Sequence, residues 1–151
     1  MSIQMNELPS NLEYLGEYAF CRSGSGIKFS TLPNKLKELP DWSLGQCQNI
    51  TINQFGGVGS SLTKIGTNVF YNSGSPSVTT LTFAPPLSSM NSYSLFKSGM
   101  NNNYGSSVMT INTHSLFGYD DEDSWELALF GWSSAEDANA RIHEITTNLV
   151  A

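Results

Sequence analysis

Four segments of the chain carry the same three apolar positions in the same order: "NLEYLGEYAF", "KLKELPDWSL", "SLTKIGTNVF" and "PLSSMNSYSL". The first position is Leu12, Leu36, Leu62 and Leu87; the second is Leu15, Leu39, Ile65 and Met90; the third is Phe20, Leu44, Phe70 and Leu95. Every column advances by 24, then 26, then 25 residues. Three columns with one set of steps describe a repeat, and a repeat of this length is too small to bury its own apolar side. Neighbouring coils must cover one another, so the expected fold is mainly β: a solenoid of about four repeats joined by short irregular or 3-10 turns.

A strand-like piece precedes each segment: "IQMNEL" from Ile3, "IKFSTL" from Ile27, "ITINQF" from Ile50 and "VTTLTF" from Val78. A fifth, "VMTIN", follows from Val108. The interval from strand end to first column is four residues in three repeats and seven from Phe55 to Leu62. The glycine-rich "GGVGSS" absorbs the extra three as a loop insertion. Gly16 and Gly66 directly follow the second column, where a turn with positive φ would favour glycine. Asn91 tolerates that conformation. Pro40, with its fixed φ, does not, so the second turn is expected to differ.

These residues resemble the BspA-like leucine-rich repeats. Leu8-Pro9 and Leu32-Pro33 match the strand end of that family, with Pro85 close to it, and Leu12, Leu15, Gly16, Ala19 and Phe20 match its consensus. Cys47, three residues after Leu44, occupies a frequent cysteine position of the family; Cys21 does not. The resemblance spans about Ile3 to Ile111, and its members include adhesins, protist surface proteins and viral proteins.

Beyond the repeat, "WELALF" alternates Trp125, Leu127 and Leu129 and reads as a strand. In "SSAEDANARIHEITTNLV", Ala135, Ala138, Ile142, Ile145 and Leu149 recur at helical spacing, with Ser133 or Ser134 as N-cap. A strand and then a helix over about 134–149 would cover the last coil, because repeat stacks need caps. Residues 1–112 are therefore read as repeat solenoid and 113–151 as a C-terminal cap of one domain. The opposite end opens near a strand at Ile3, an edge for a partner chain or a further stretch of a longer protein to cover, or one short enough to stay open.

Composition narrows the function. Charged residues are 13% of 151, about half the usual share, and Lys plus Arg number 7 against 13 acidic residues. A net charge of -6 leaves no basic surface for phosphate neutralisation, which argues against nucleic acid as a partner. No apolar run reaches the ~20 residues of a membrane span. The start "MSIQMNELPS" lacks the basic and apolar regions of a signal peptide. Neither histidine, His114 or His143, has metal-ligand spacing. The run "YDDEDSWE" lacks the alternating oxygens and the glycine of a calcium loop and reads as a solvated loop. "GGVGSS" lacks a phosphate-loop ending, and "NIT" at Asn49 is a glycosylation match of little weight beside a strand. Two cysteines are too few for a disulfide scaffold; Cys21 and Cys47 read as small buried or half-buried thiols, with a single bridge open if neighbouring repeats bring them together. No cofactor and no enzymatic reaction are expected.

What remains is an interaction or structural module. Residues between the strand columns form an outward face, and Lys28, Ser30, Thr51, Asn53, Thr79, Thr80 and Thr82, with Gln4 and Asn6, are its candidate binding residues. Apart from Lys28 these are uncharged, which suits a protein partner or a glycan held by hydrogen bonds. Tyr14, Tyr18, Trp42, Tyr71, Tyr93 and Tyr104 fall between the core columns, packed at coil edges or open as anchors. By analogy with viral members of the resembling family the expected setting is a phage virion, as a structural or attachment protein. The rival is a bacterial or protist surface adhesin fragment. The location is thus virion or cell exterior, with the cytoplasm also open.

Overall fold

The computed structural model describes residues 5–24, 26–71, 73–74, 77–91, 94–95, 108–130 and 144–150. Ile3 and Gln4, His143, Tyr93 and Tyr104 lie outside them, as does the segment 131–143. The elements are β1 (Glu38–Leu39), β2 (Gln54–Phe55), β3 (Lys64–Ile65), β4 (Thr80–Phe83), β5 (Ser89–Met90), β6 (Val108–Thr113), α1 (Glu122–Phe130) and β7 (Glu144–Leu149). They form two parallel sheets, one ordered β1-β3-β5 and the other β2-β4-β6-β7. The protein is mainly β, with one α-helix among the described residues.

The repeat columns are rungs of this structure. In the three-stranded sheet Leu39 pairs with Ile65 and Ile65 with Met90, so the second column lies in register. Residues following the first column are chained by their backbones. Lys37 N–H donates to Glu13 C=O at 3.0 Å, Thr63 to Lys37 at 2.9 Å and Ser88 to Thr63 at 3.0 Å. The third column donates in the same way: Phe20 to Ser43, Leu44 to Val69 and Phe70 to Ser94. Leu36, Leu62 and Leu87 are buried, and Leu12 packs half-buried against them. Backbone hydrogen bonds between repeats therefore set the register, and the apolar columns are buried in one core.

An aromatic spine links the repeats. Phe55 stacks on Phe83 with centroids 5.2 Å apart, and Phe83 meets Trp125 edge-on at 5.8 Å. Trp125 belongs to α1, which corrects the strand expected for "WELALF". Asp121 caps this helix: its carboxylate accepts from Ser124 N–H at 2.7 Å and its carbonyl from Trp125 N–H. Hydrogen bonds from Ser124, its N–H first, hold the Asp121 carboxyl below its ordinary pKa. Glu122 and Asp123 occupy the first turn, where the helix dipole favours negative charge. The acidic run is thus a helix start. Trp125 and Leu129, four apart, share the buried face, and Leu129 C=O accepts from Leu95 N–H at 2.9 Å. The helix takes the bond that a further turn segment would have taken.

The helix expected over 134–149 is also corrected where it can be followed. Glu144–Leu149 is a strand that pairs along its whole length with β6, Val108 to Glu144 through Thr113 to Leu149. Thr147 Oγ1 donates to Glu126 Oε1, tying β7 to α1. Half-burial raises the Glu126 pKa above its ordinary value, against the lowering effect of that bond, with Asp123 and Glu122 adding to the rise. A carboxyl whose folded-state pKa is raised favours its neutral form, so its contribution is full below the unfolded pKa and fades as pH rises through the folded one. Glu126→Gln is therefore expected to melt higher than the parent at pH 7, and the difference should vanish below about pH 4. Thermal melts across pH 3–8 check this; a variant less stable at pH 7 contradicts it.

The turns correct a further expectation. Positive φ falls at Tyr18 (59°), Trp42 (61°) and Asn68 (55°), two residues beyond the column-following positions, and not at Gly16 or Gly66. The second turn does not differ: Ser43 N–H donates to Pro40 C=O at 3.2 Å as Ala19 does to Gly16. Gly66 is needed for space, since a Cβ there would lie 2.3 Å from Asp41 Oδ1 and 2.8 Å from Asp41 N. Cys21 and Cys47 are unbonded thiols. Burial pushes the Cys47 thiol up to about 11, and it donates to Phe20 C=O at 3.1 Å.

Candidate functional site

Side chains of a paired strand alternate between its two faces. In β4, Leu81 and Phe83 are buried while Thr80 is exposed and Thr82 half-buried. In β6, Met109 and Ile111 are buried while Thr110 and Asn112 are not. Because the strands are parallel and in register, the outward residues line up in rows. One row is Thr80, Thr110 and Thr146; the other is Gln54, Thr82, Asn112 and Asn148. Neighbours in a row are ~4.8 Å apart across the sheet. Asn148 Nδ2 donates to Asn112 Oδ1 at 3.1 Å, so part of the second row is joined side chain to side chain.

The seven expected binding residues are distributed over this surface. Lys28, Ser30, Thr51, Asn53, Thr79 and Thr80 are exposed and Thr82 is half-buried. Ser30 and Asn53 line a cavity of about 350 Å³ with Thr31, Asn34, Gln54 and Gly57, at the base of the glycine-rich loop. Thr80 and Thr82 belong to the rows. Lys28, Thr51 and Thr79 line neither the cavity nor a row; their side chains are exposed beside both, while their backbones join neighbouring strands, Lys28 N–H donating to Met5 C=O, Thr51 N–H to Phe29 C=O and Thr79 C=O accepting from Thr110 N–H.

Two features of this surface went unread in the sequence. Glu7 sits on it, its carboxylate accepting from Ser30 Oγ at 2.8 Å and Thr31 Oγ1 at 3.1 Å, so Lys28 is not its lone charge. Asn112, Thr110, Thr146 and Asn148 extend it. The first two follow from "VMTIN" once that piece is read as a strand, because they alternate with Met109 and Ile111. Thr146 and Asn148 were hidden by the helical reading of their segment.

The chemistry on offer is hydrogen bonding by neutral hydroxyls and amides. Among the described residues no three His, Cys, Asp or Glu side chains come together as a metal site. His114 packs edge-on against Phe117 with Nδ1 3.1 Å from Phe83 C=O. No helix of the described residues is long and apolar enough to cross a membrane.

Compared with known proteins, residues 1–120 match the BspA type leucine rich repeat region, in six copies. No match was found among curated proteins or among solved structures. Repeat regions of this kind typically serve as non-enzymatic modules for protein interaction or surface binding. Its column spacing, its parallel register and this match over most of its length agree: the chain belongs to the BspA-type leucine-rich repeat family.

Proposed function

We propose that residues 1–112 wind as a solenoid whose outward strand face binds a protein partner, and that residues 113–151 cover its last coil without catalysing a reaction. The observation that carries this reading is the pair of in-register rows, Thr80-Thr110-Thr146 and Gln54-Thr82-Asn112-Asn148. Such rows offer repeated donors and acceptors ~4.8 Å apart to the polar groups of a partner laid across the strands. Aligned groups on a rigid sheet lose little entropy on binding.

For the setting we favour a virion structural or attachment protein, supported by the resemblance to viral members and by a surface rich in Ser, Thr and Asn. A cell-surface adhesin is the rival. The genes beside the reading frame discriminate: tail or capsid genes support the first, and a surface-export cluster supports the second. Their purified products are also the partners to test. Lys28→Ala combined with Asn53→Ala is expected to leave the melting temperature within about 2 °C, since exposed substitutions usually stay within ±0.5 kcal/mol. It should weaken the cognate product's binding at least tenfold in biolayer interferometry. Unchanged affinity removes the Lys28 and Asn53 end of the strand face, and unchanged affinity also in Thr82→Ala with Asn112→Ala removes the rows.

A further inference from the structure

The turn side of the molecule carries a second built surface. Tyr18 and Trp42 occupy equivalent places in consecutive turns and adopt positive φ, 59° and 61°, which bulky residues rarely do. Backbone bonds hold them there: Tyr18 N–H donates to Asp41 C=O at 3.2 Å and Trp42 N–H to Thr67 C=O at 3.1 Å. Their rings are nearly parallel, 12° apart, with centroids 5.7 Å from each other. That separation exceeds the ~4 Å of direct face-to-face contact, so the rings are offset and part of each face stays uncovered. Tyr71 continues the series, 4.5 Å from Trp42 and tilted by 48°. Gly45 leaves the room this needs, for a Cβ there would approach Trp42 Cε3 to 3.2 Å.

These three rings share a cavity of about 610 Å³ with Cys21, Arg22 and Gln46. Arg22 Nε donates to Gln46 Oε1 at 3.1 Å, which fixes two planar polar groups beside the rings. Tyr18 is 56% exposed, so the staircase opens to solvent.

We infer that this staircase is a glycan-binding site, separate from the strand face, that takes a linear oligosaccharide. Sugar rings present C–H patches to aromatic faces and hydroxyls at their rims. Here offset faces stand one coil apart, and the Arg22-Gln46 pair supplies rigid donors and an acceptor at their edge. A site of mostly aromatic walls with a few fixed polar groups is the usual form of a small-ligand pocket. A proline-rich peptide also packs on aromatics, in grooves that seat proline rings between them. Trp42 and Tyr71, 4.5 Å apart and tilted by 48°, leave no such slot between their rings.

Asn68 occupies the equivalent turn position with φ 55°, which supplies variants that remove a ring and keep the backbone: Tyr18→Asn and Trp42→Asn. The full chain is titrated by calorimetry and tryptophan fluorescence with cellohexaose, chitohexaose, a hexauronate and a ten-residue polyproline peptide. The expected result is saturable binding of at least one hexasaccharide and a loss of tenfold or more in each variant. Circular dichroism should stay unchanged, as should saccharide affinity in the Lys28→Ala, Asn53→Ala double variant. Trp42→Phe, which keeps a ring, should retain most of the affinity should Trp42→Asn fail to fold. Absence of binding by every saccharide, affinity that survives both ring removals, selective polyproline binding, or saccharide loss in the strand-face variant would each overturn the assignment. Because the strand-face test uses a protein partner and different residues, the two readings can fail independently.

Discussion

Phe55→Ala is expected to destabilise the protein by about 3–5 kcal/mol, the range for removing a large buried aromatic. Phe55 is fully buried and terminates β2. Its ring stacks on Phe83 at 5.2 Å and meets Phe70 edge-on at 5.9 Å. Phe70 belongs to the third apolar column and Phe83 leads to Trp125 on α1, so Phe55 joins that column to the next repeat and to the helix. Alanine would leave a void where three rings meet, and the walls cannot collapse because backbone bonds fix them. Ala84 N–H, for one, donates to Phe55 C=O at 2.9 Å. Urea unfolding should show the midpoint falling with little change in slope. Val58→Ala at the fully exposed tip of the neighbouring loop is the control and should leave the midpoint in place. A Phe55→Ala midpoint equal to that of the control would remove the aromatic spine as a source of stability.

Gly56→Ala should be nearly as costly, for a different reason. Gly56 has φ of +88°, and a Cβ there would lie 2.0 Å from the carbonyl oxygen of Ala84. The obstacle is backbone, and it is anchored on either side. Ala84 N–H bonds back to Phe55, and Gly57 N–H donates to Pro85 C=O at 2.8 Å. The conformation alone costs roughly 1–3 kcal/mol for alanine, and the displacement needed to relieve the contact roughly 1–3 kcal/mol more. Gly16→Ala is the matched comparison. Gly16 has no heavy atom within 4 Å of its would-be Cβ and no positive φ. Alanine there should stabilise by about 0.4–1 kcal/mol, by restricting the unfolded chain. Denaturation of the two variants side by side checks both expectations; equal effects would contradict the geometry at Ala84.

The pairing of the glycines shows where sequence reasoning failed. Gly16 and Gly66 stand at repeat-equivalent positions, and glycine in a turn suggests positive φ. The left-handed residues are instead Tyr18, Trp42 and Asn68, none of which a local propensity selects strongly except Asn68. Each has its N–H, or that of its turn, bonded to the adjacent coil, and those bonds impose the conformation. The candidate site divides similarly. Thr51, Asn53, Thr79, Thr80 and Thr82 alternate with Ile52, Leu81 and Phe83 and were visible as surface. Glu7 was not, because only the fold brings it to Ser30 and Thr31, more than twenty residues away.

The repeat itself was a property of the sequence. Apolar residues recurring every 24 to 26 positions cannot be buried within one coil, so parallel neighbours in register follow, as Leu39, Ile65 and Met90 demonstrate. The C-terminal segments were decided by tertiary structure. "EITTNL" carries helical spacing in its isoleucine and leucine, but its β-branched residues also suit a strand. The unpaired backbone of β6 takes it as β7. "WELALF" alternates like a strand, yet Asp121 caps it as a helix and Phe83 receives Trp125. Six residues bury too little and make too few hydrogen bonds to choose alone; the open edge and the uncovered ring beside them supply the difference.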